Sequence, residues 1–202
     1  LGTAYALEIC KKHKIKRFIH ASTIYVNSHQ GGFYRSSKKA AEDYVEEYHN
    51  TFGVDYTVLR FGSLYGERSD NTNGVTSIIN RSINSGEISY LGGKNSIREY
   101  IHIKDAAKAS ANILKEKFKN RHIILTGKKG IKVYDLLKIL AKILKISKNI
   151  KFLDKKLLGH YTISPFTYKP KVGKKFIFNS NVNFEKGLLA LVKILKKKRL
   201  NK

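Results

Sequence analysis

Thr23-Ile-Tyr-Val-Asn-Ser-His-Gln-Gly-Gly-Phe-Tyr34-Arg-Ser-Ser-Lys38 is the stretch from which the rest of the chain can be read. Just upstream, Arg17-Phe-Ile-His-Ala-Ser-Thr23 is an apolar run that ends in small hydroxyl residues, the pattern of a strand and its exit. Gln30-Gly31-Gly32-Phe33 reads as a loop, and Ala40, Ala41, Tyr44, Val45 and Tyr48 then recur at helical spacing. The pattern predicts a strand over 16–22 and a helix over 34–48 that stops near Asn50 and Gly53. Tyr34 and Lys38 stand four apart at the helix start, so both side chains leave one face, one turn apart. A phenol ordinarily titrates near pH ~10, and a neighbouring cation favours its ionised form. The pair is therefore a candidate general base for an alcohol proton, with Ser22 or Thr23 as candidates for holding the alcohol oxygen. Sites in open α/β sheets gather beyond the carboxyl ends of strands, which is where Thr23 falls.

A lone Tyr-x-x-x-Lys is common by chance, so its surroundings carry the weight. Tyr56-Thr-Val-Leu-Arg-Phe61 is a second β-rich run, and His122-Ile-Ile-Leu-Thr126 a third, closed by Gly127. Strands alternating with helices of this length point to a doubly wound α/β sheet. Residues 1–12, 75–85, 106–115, 133–144 and 184–198 read as further helices, with Asp105 as the expected N-cap of the third. Leu136, Leu137, Leu140, Ile143 and Leu144 form a packing stripe. Residues 62–73 read as a polar loop, and 88–91 and 97–103 as short strands and turns. An aromatic stretch, Gly159–Pro170, holds both prolines and reads as a loop, with His160–Tyr168 packed as a lid edge or touching substrate.

The 202 residues suffice for one domain with a real core. The chain has no Met, and Leu1 opens directly into a helical pattern; the expectation is a piece that lacks an N-terminal part. Cys10 is the single cysteine and sits in an apolar-periodic stretch, so it is expected buried and in a reducing compartment. The seven histidines are scattered without metal-ligand spacing, and no metal is expected. Net charge is +25, from 40 Lys+Arg against 15 Asp+Glu, a field that attracts polyanions. The lysines are spread along the chain, as on a solvated surface, and nucleic acid is not the expected partner. The apolar runs are too short to span a bilayer.

Four blocks in order carry a family resemblance: the strand ending Ala21-Ser-Thr23; Tyr34-x-x-x-Lys38; Leu59-Arg-Phe61-Gly-Ser63-Leu-Tyr65-Gly-Glu-Arg68; and Arg98-Glu-Tyr100-Ile-His-Ile-Lys-Asp105. Together they resemble the extended short-chain dehydrogenase/reductases, and more narrowly the NAD-dependent epimerase/dehydratase group acting on nucleotide sugars. The resemblance implies an incomplete doubly wound parallel sheet, the C-terminal half of a Rossmann-like domain, with a small C-terminal substrate-binding region. Residues 1–66 would be the end of the NAD-binding domain, and 67–202 a mixture of substrate-binding region and remaining Rossmann elements.

The same resemblance implies roles. Tyr34 would take the proton from a sugar hydroxyl, Lys38 would hold the nicotinamide ribose, and Thr23, or Ser22 beside it, would bond the reacting oxygen. Phe61 would line the cofactor, Ser63 the sugar, and Arg98 the nucleotide diphosphate; Arg60 and Tyr65 would be supports. The chain departs from the family at three places. Ser63 stands where the family usually has Asn. Ile24 and Tyr25 replace the acidic pair of the dehydratases, which argues for an epimerase or a plain oxidoreductase, with a 4-epimerase expected. No Gly-x-x-Gly-x-x-Gly or Gly-x-Gly-x-x-Gly follows any strand, so these residues alone are expected to bind NAD poorly, to be inactive and to expose the Phe18 strand as an apolar edge. A homodimer in the cytoplasm is expected of the complete protein, with NADP open beside NAD. The alternatives are a reductase or dehydratase of the same family, or a non-catalytic polyanion-binding protein on a degenerate scaffold.

Overall fold

The computed structural model describes residues 2–147, 150–153, 174–176 and 182–200. The aromatic stretch Gly159–Pro170, with its candidate contacts at His160–Tyr168, lies outside the described residues. Helix α1 (Gly2–Lys12) leads into β1 (Phe18–Thr23), a short 3₁₀ turn (Ile24–Asn27) and α2 (Gly32–Phe52). Gly53 ends α2 in the left-handed conformation at φ 68°, its N–H donating back to His49 and Tyr48 carbonyls. Strands β2 (Tyr56–Phe61) and β3 (Ser63–Tyr65) follow, then α3 (Gly74–Ser85), β4 (Ser89–Leu91), β5 (Ile97–Arg98), β6 (Tyr100–His102) and α4 (Ile103–Asn112). Next come β7 (Arg121–Leu125), β8 (Ile131–Lys132), α5 (Val133–Leu144), β9 (Lys151–Leu153), β10 (Lys174–Phe176) and α6 (Phe184–Leu200).

The main sheet is parallel throughout, in the order β1-β2-β7-β10. Its register sets Thr23 against Phe61 and Phe61 against Leu125, so three strand ends lie level. Alternate residues of β2 go to opposite faces. Val58 packs with Leu7 of α1 and Val45 of α2, while Leu59 packs with Ala106, Ala109 and Ile113 on the α4 side. Both faces of the sheet are thus covered, as a parallel sheet requires. This is the doubly wound arrangement the strand and helix alternation implies. Among the described strands β1 pairs with β2 alone, which leaves it at an edge.

A second apolar cluster joins α3, α5 and α6. Ile79 and Ile88 meet Leu136, Leu137, Leu140 and Leu188 there, all fully buried. The Leu stripe of α5 is a packing face, as read. No described helix is long and apolar enough to cross a membrane.

Three local expectations are corrected. The stretch 62–73 is not all loop: Ser63-Leu-Tyr65 forms β3 and pairs in parallel with Tyr100-Ile-His102. Tyr65 is only 2% exposed, and three residues are too few to announce a strand among polar neighbours. Asp105 is not the N-cap of α4. His102 is, its ring nitrogen accepting the Lys104 amide at 3.3 Å, so the helix starts one strand-end earlier than composition suggests. Asp105 instead is buried in the first turn and accepts the Val182 amide at 2.9 Å. Cys10 is only partly buried, against the α1–α2 cluster; desolvation pushes its free thiol above the ordinary value.

Candidate active site

Beyond the ends of β1 and β2 lies a cavity of about 610 Å³. Tyr34, Lys38, Thr23, Ser22, Phe61, Ser63 and Arg98 all border it, so the fold brings together every residue singled out from the sequence. They arrive from four directions. Thr23 and Phe61 come from paired strand ends. Ser63 begins β3, its N–H donating to the Glu99 carbonyl at 3.1 Å. Arg98 comes from β5 and is buried, with Nη1 donating to the Ile97 carbonyl at 3.1 Å. Tyr34 and Lys38 lie in the first two turns of α2.

The entry to α2 depends on glycine. Gly31 has φ +108°, and a Cβ there would fall 2.8 Å from the Tyr25 ring. That close approach lets Tyr25 stand edge-on to Tyr34, ring centroids 6.2 Å apart. Tyr34 remains 53% exposed and borders the cavity. Lys38 reaches back across the strand end, Nζ donating to the Ala21 carbonyl at 2.8 Å. Thr23 Oγ1 accepts the Tyr25 amide at 3.3 Å, capping the 3₁₀ turn. Ser22 differs from its neighbour: its Oγ donates to Glu42 Oε1 at 2.5 Å.

Beneath α2 the contacts are charged. Arg60 donates from Nε and Nη2 to the two oxygens of Glu42, the shortest at 2.6 Å, with both side chains almost fully buried. His122 Nε2 lies 3.0 Å from Glu46 Oε1 and 3.9 Å from Glu42 Oε2. Burial and the Arg60 guanidinium nevertheless hold its imidazole down at about 4, so it is neutral at pH 7. His20 is also held below its ordinary value, by burial and then by Lys38.

The opposite wall contains residues that the sequence reading missed. Asn73 accepts the Val75 and Thr76 amides at 3.1 and 3.2 Å and donates to the Leu64 carbonyl at 2.8 Å, tying α3 to β3. Ser77 and Arg81 follow it at four-residue steps and also border the cavity. The sequence does hold that signal, Asn73-x-x-x-Ser77-x-x-x-Arg81, but nothing local says that this polar stripe faces a site rather than solvent. Tyr25 is a further omission; its signal is Gly31, which makes room for its ring.

The residues present fit one end of a nicotinamide dinucleotide: a phenol, an ammonium, a hydroxyl and the Phe61 ring converge on the cavity. A glycine-rich pyrophosphate turn is not among the 202 residues.

A model of the NAD dependent epimerase/dehydratase family matches residues 1–126. The chain is 28% identical over 158 residues to a putative UDP-glucose 4-epimerase of Methanocaldococcus jannaschii, covering 68% of this chain and 51% of that protein. It is 27% identical over 140 residues to a dTDP-D-glucose 4,6-dehydratase of Dictyostelium discoideum, covering 57% of this chain and 32% of that one. The chain therefore spans about half or less of the length of these relatives. Among solved structures, a UDP-glucose 4-epimerase of Thermotoga maritima in complex with UDP-glucose superposes with a TM-score of 0.79 at 24% identity, over 98% of this chain and 69% of that one. A UDP-glucuronic acid 4-epimerase of Bacillus cereus, in complex with UDP-glucuronic acid and NAD, gives 0.80 at 23% identity over 97% and 66%. At these identities the likeness of the structures is one of fold.

Proposed function

The chain belongs to the NAD dependent epimerase/dehydratase family, and from that premise we propose that it serves as a 4-epimerase of a nucleotide sugar. The observation that carries the reading is the make-up of the cavity wall. Tyr34, Lys38 and Thr23 meet at one end, Arg98 and Arg81 stand on the wall, and no described residue on it is Asp or Glu. Eliminating water needs an acid for the leaving hydroxyl and a base for the adjacent carbon. The two positions after Thr23 hold Ile24, which is 1% exposed, and Tyr25, neither suited to that work. Epimerisation at C4 asks for less: removal of a hydride and a proton, rotation of the ketone, and their return on the other face.

NAD, when bound, supplies a hydride acceptor that can give the same hydride back. Tyr34, acting as the phenolate, takes the proton of the sugar C4 hydroxyl, becomes the phenol, and later returns that proton to the oxygen. Thr23 Oγ1 bonds the same oxygen and keeps it within reach of Tyr34. Lys38, whose Nζ is at the strand end beside the Ala21 carbonyl, would hold the ribose hydroxyls of the cofactor. Phe61 would line the nicotinamide, and the Ser63 hydroxyl would bond the sugar. Arg98 suits a diphosphate, because its planar donors match phosphate oxygens. The exposed Tyr5, Ile9, Tyr44 and Phe52, on α1 and α2, support a homodimer through those helices. One cysteine without a disulfide partner suits the cytoplasm.

The test is made on the longest polypeptide of the reading frame that contains these residues, given NAD and UDP-glucose, UDP-N-acetylglucosamine or UDP-glucuronic acid. Proton NMR should show the C4 epimer accumulate while absorbance at the reduced-nicotinamide band stays flat. A dehydrated keto-sugar, or net consumption of reduced cofactor, would replace this reading by a dehydratase or a reductase. A net charge of +25 favours one second reading, a polyanion-binding protein on this scaffold. Steeply salt-dependent RNA binding without turnover of any sugar would select it. The 202 residues by themselves should bind NAD weakly in calorimetry, since they lack the glycine turn.

A further inference from the structure

We propose that Glu42, through Ser22 and Arg60, is the positioning residue of this site: a buried carboxylate that sets the roll of α2 on the sheet, so that Tyr34 and Lys38 stand over the end of β1. The inference rests on the reading of Tyr34 and Lys38 given above.

Tyr34, Lys38 and Glu42 follow one another at four-residue steps on α2, so their side chains descend one face of the helix. Two of them tie that face to β1. Lys38 holds the Ala21 carbonyl and Glu42 the Ser22 hydroxyl, at 2.8 and 2.5 Å. Glu42 also takes Arg60 from β2, and Ser22 and Arg60 are register partners on the two strands. The residues one step on, Thr23 and Phe61, are themselves register partners and both border the cavity, as Ser22 does. A single carboxylate therefore binds the positions just behind both strand ends.

The other polar contacts that tie α2 to its neighbours reach one element each, Lys38 the Ala21 carbonyl, Glu46 the His122 ring at 3.0 Å and Tyr48 the Glu8 carboxylate at 2.5 Å, whereas Glu42 is bonded to both β1 and β2. Of its 21 residues only Glu42 and Val45 are buried. Val45 gives adhesion without direction, since apolar packing is non-directional. The helix enters through Gly31 and Gly32, both at positive φ, and has no side-chain N-cap. Arg35 Nη1 donates to the Ser28 carbonyl at 2.9 Å, but that bond ties the helix to its own entry loop rather than to the sheet. A buried ion pair adds little net stability over an apolar pair of the same volume, so its worth here is geometric.

The experiment separates geometry from stability in the 202-residue chain. Glu42→Met with Arg60→Met replaces the pair by apolar side chains of similar length; Ser22→Ala and Ser22→Thr remove or keep the hydroxyl. In the double variant and in Ser22→Ala, amide exchange over 34–42 should rise about tenfold or more while exchange in α5 stays unchanged. The nuclear Overhauser contact between the Tyr25 and Tyr34 rings should fade, and Ser22→Thr should restore it. Unchanged exchange and ring contact in either folded variant would overturn the proposal. So would an equal rise in α2 and α5, the mark of a residue that serves bulk stability alone. These readouts need no turnover, so failure of the longest polypeptide of the reading frame to epimerise any nucleotide sugar would sink the epimerase reading and leave this one standing. Where turnover is measurable, kcat should fall about 10–100-fold with the sugar KM within about threefold, because orientation and not binding is lost.

Discussion

On the β1–α2 side of the cavity the buried contacts just behind the strand ends are polar and directional: Glu42 takes Arg60 and Ser22, with neutral His122 alongside. On the α3–α5–α6 side they are apolar: Ile79, Ile88, Leu136, Leu137, Leu140, Leu188 and Leu191 fill one cluster. The two walls hold the same cavity and have different work. Apolar clusters tolerate repacking if volume is kept. A bidentate Arg–carboxylate pair fixes angles as well as distance. The directional bonds lie under the residues proposed to move a proton, where a misplacement of about 1 Å can cost ~10²-fold in rate. The oily cluster supports the wall that needs only to receive a large, flexible substrate.

The largest expected break in this contrast is chemical. Tyr34→Phe should cut turnover by about 10³-fold, within the usual range for loss of a general acid–base group. Its melting temperature should barely move, because the residue is 53% exposed and loses only a hydroxyl. Wild-type turnover in that variant would remove Tyr34 from the mechanism.

Next come the two walls themselves, compared by denaturant unfolding. Glu42→Ala should cost about 3–5 kcal/mol, because it strands a buried guanidinium. Leu137→Ala should cost about 2–5 kcal/mol through the cavity it leaves. The contrast lies in repair. Met at both 42 and 60 should recover most of the first loss, whereas Leu137→Met should stay within about 1.5 kcal/mol of wild type from the start. If the double Met chain is as unstable as Glu42→Ala, the polar wall is a source of stability and the contrast fails.

A smaller effect follows from pH. His122 is held at about 4 by burial and by Arg60, against an ordinary 6.5. Between those values the unfolded chain binds a proton that the folded chain refuses. The contribution is therefore present above pH 6.5 and lost as pH falls towards 4, on the order of 3 kcal/mol in all. Urea midpoints at pH 7.5 and 4.5 should show the loss, and His122→Gln should reduce it. A His122→Gln chain with an undiminished acid slope would assign the slope elsewhere.

The smallest effect belongs to the far wall. Arg81 is exposed at the cavity rim. Arg81→Ala should weaken nucleotide binding about fivefold with no change in melting, as expected for one solvated charge-assisted contact.

Much of this arrangement was legible in the chain. The period-3.6 stripe of Leu136, Leu137 and Leu140 gave α5 to the residue, because a strong apolar period needs no distant partner to be recognised. The apolar runs at Phe18 and Tyr56 gave two parallel strands, and hydroxyls at the first run's end pointed to the site. What stayed hidden depends on residues far apart. Ser63-Leu-Tyr65 is a strand only because Tyr100-Ile-His102 lies beside it. His102 caps α4 only because β6 delivers it there in extended conformation, and Asp105, freed from that task, bonds Val182, 77 residues on. Arg81 looks like any exposed helical arginine until α3 is set against the sheet. Glu42 looks like a surface glutamate in a helix rich in charge, and no local pattern tells that Arg60 waits beneath it.

Local pattern was enough for which segments are helix or strand and for the Tyr34–Lys38 pair, since both follow from side-chain spacing along a regular backbone. Together with the four motif blocks it was enough for the family. The packing of distant segments decided the rest. It made Ser22 a donor to Glu42 while its neighbour Thr23 borders the cavity with its hydroxyl on a cap. It also gathered seven residues, from Ser22 to Arg98, around one cavity. Those outcomes hang on angles between elements, which are set by buried contacts between residues many positions apart, and no spacing along the chain encodes them.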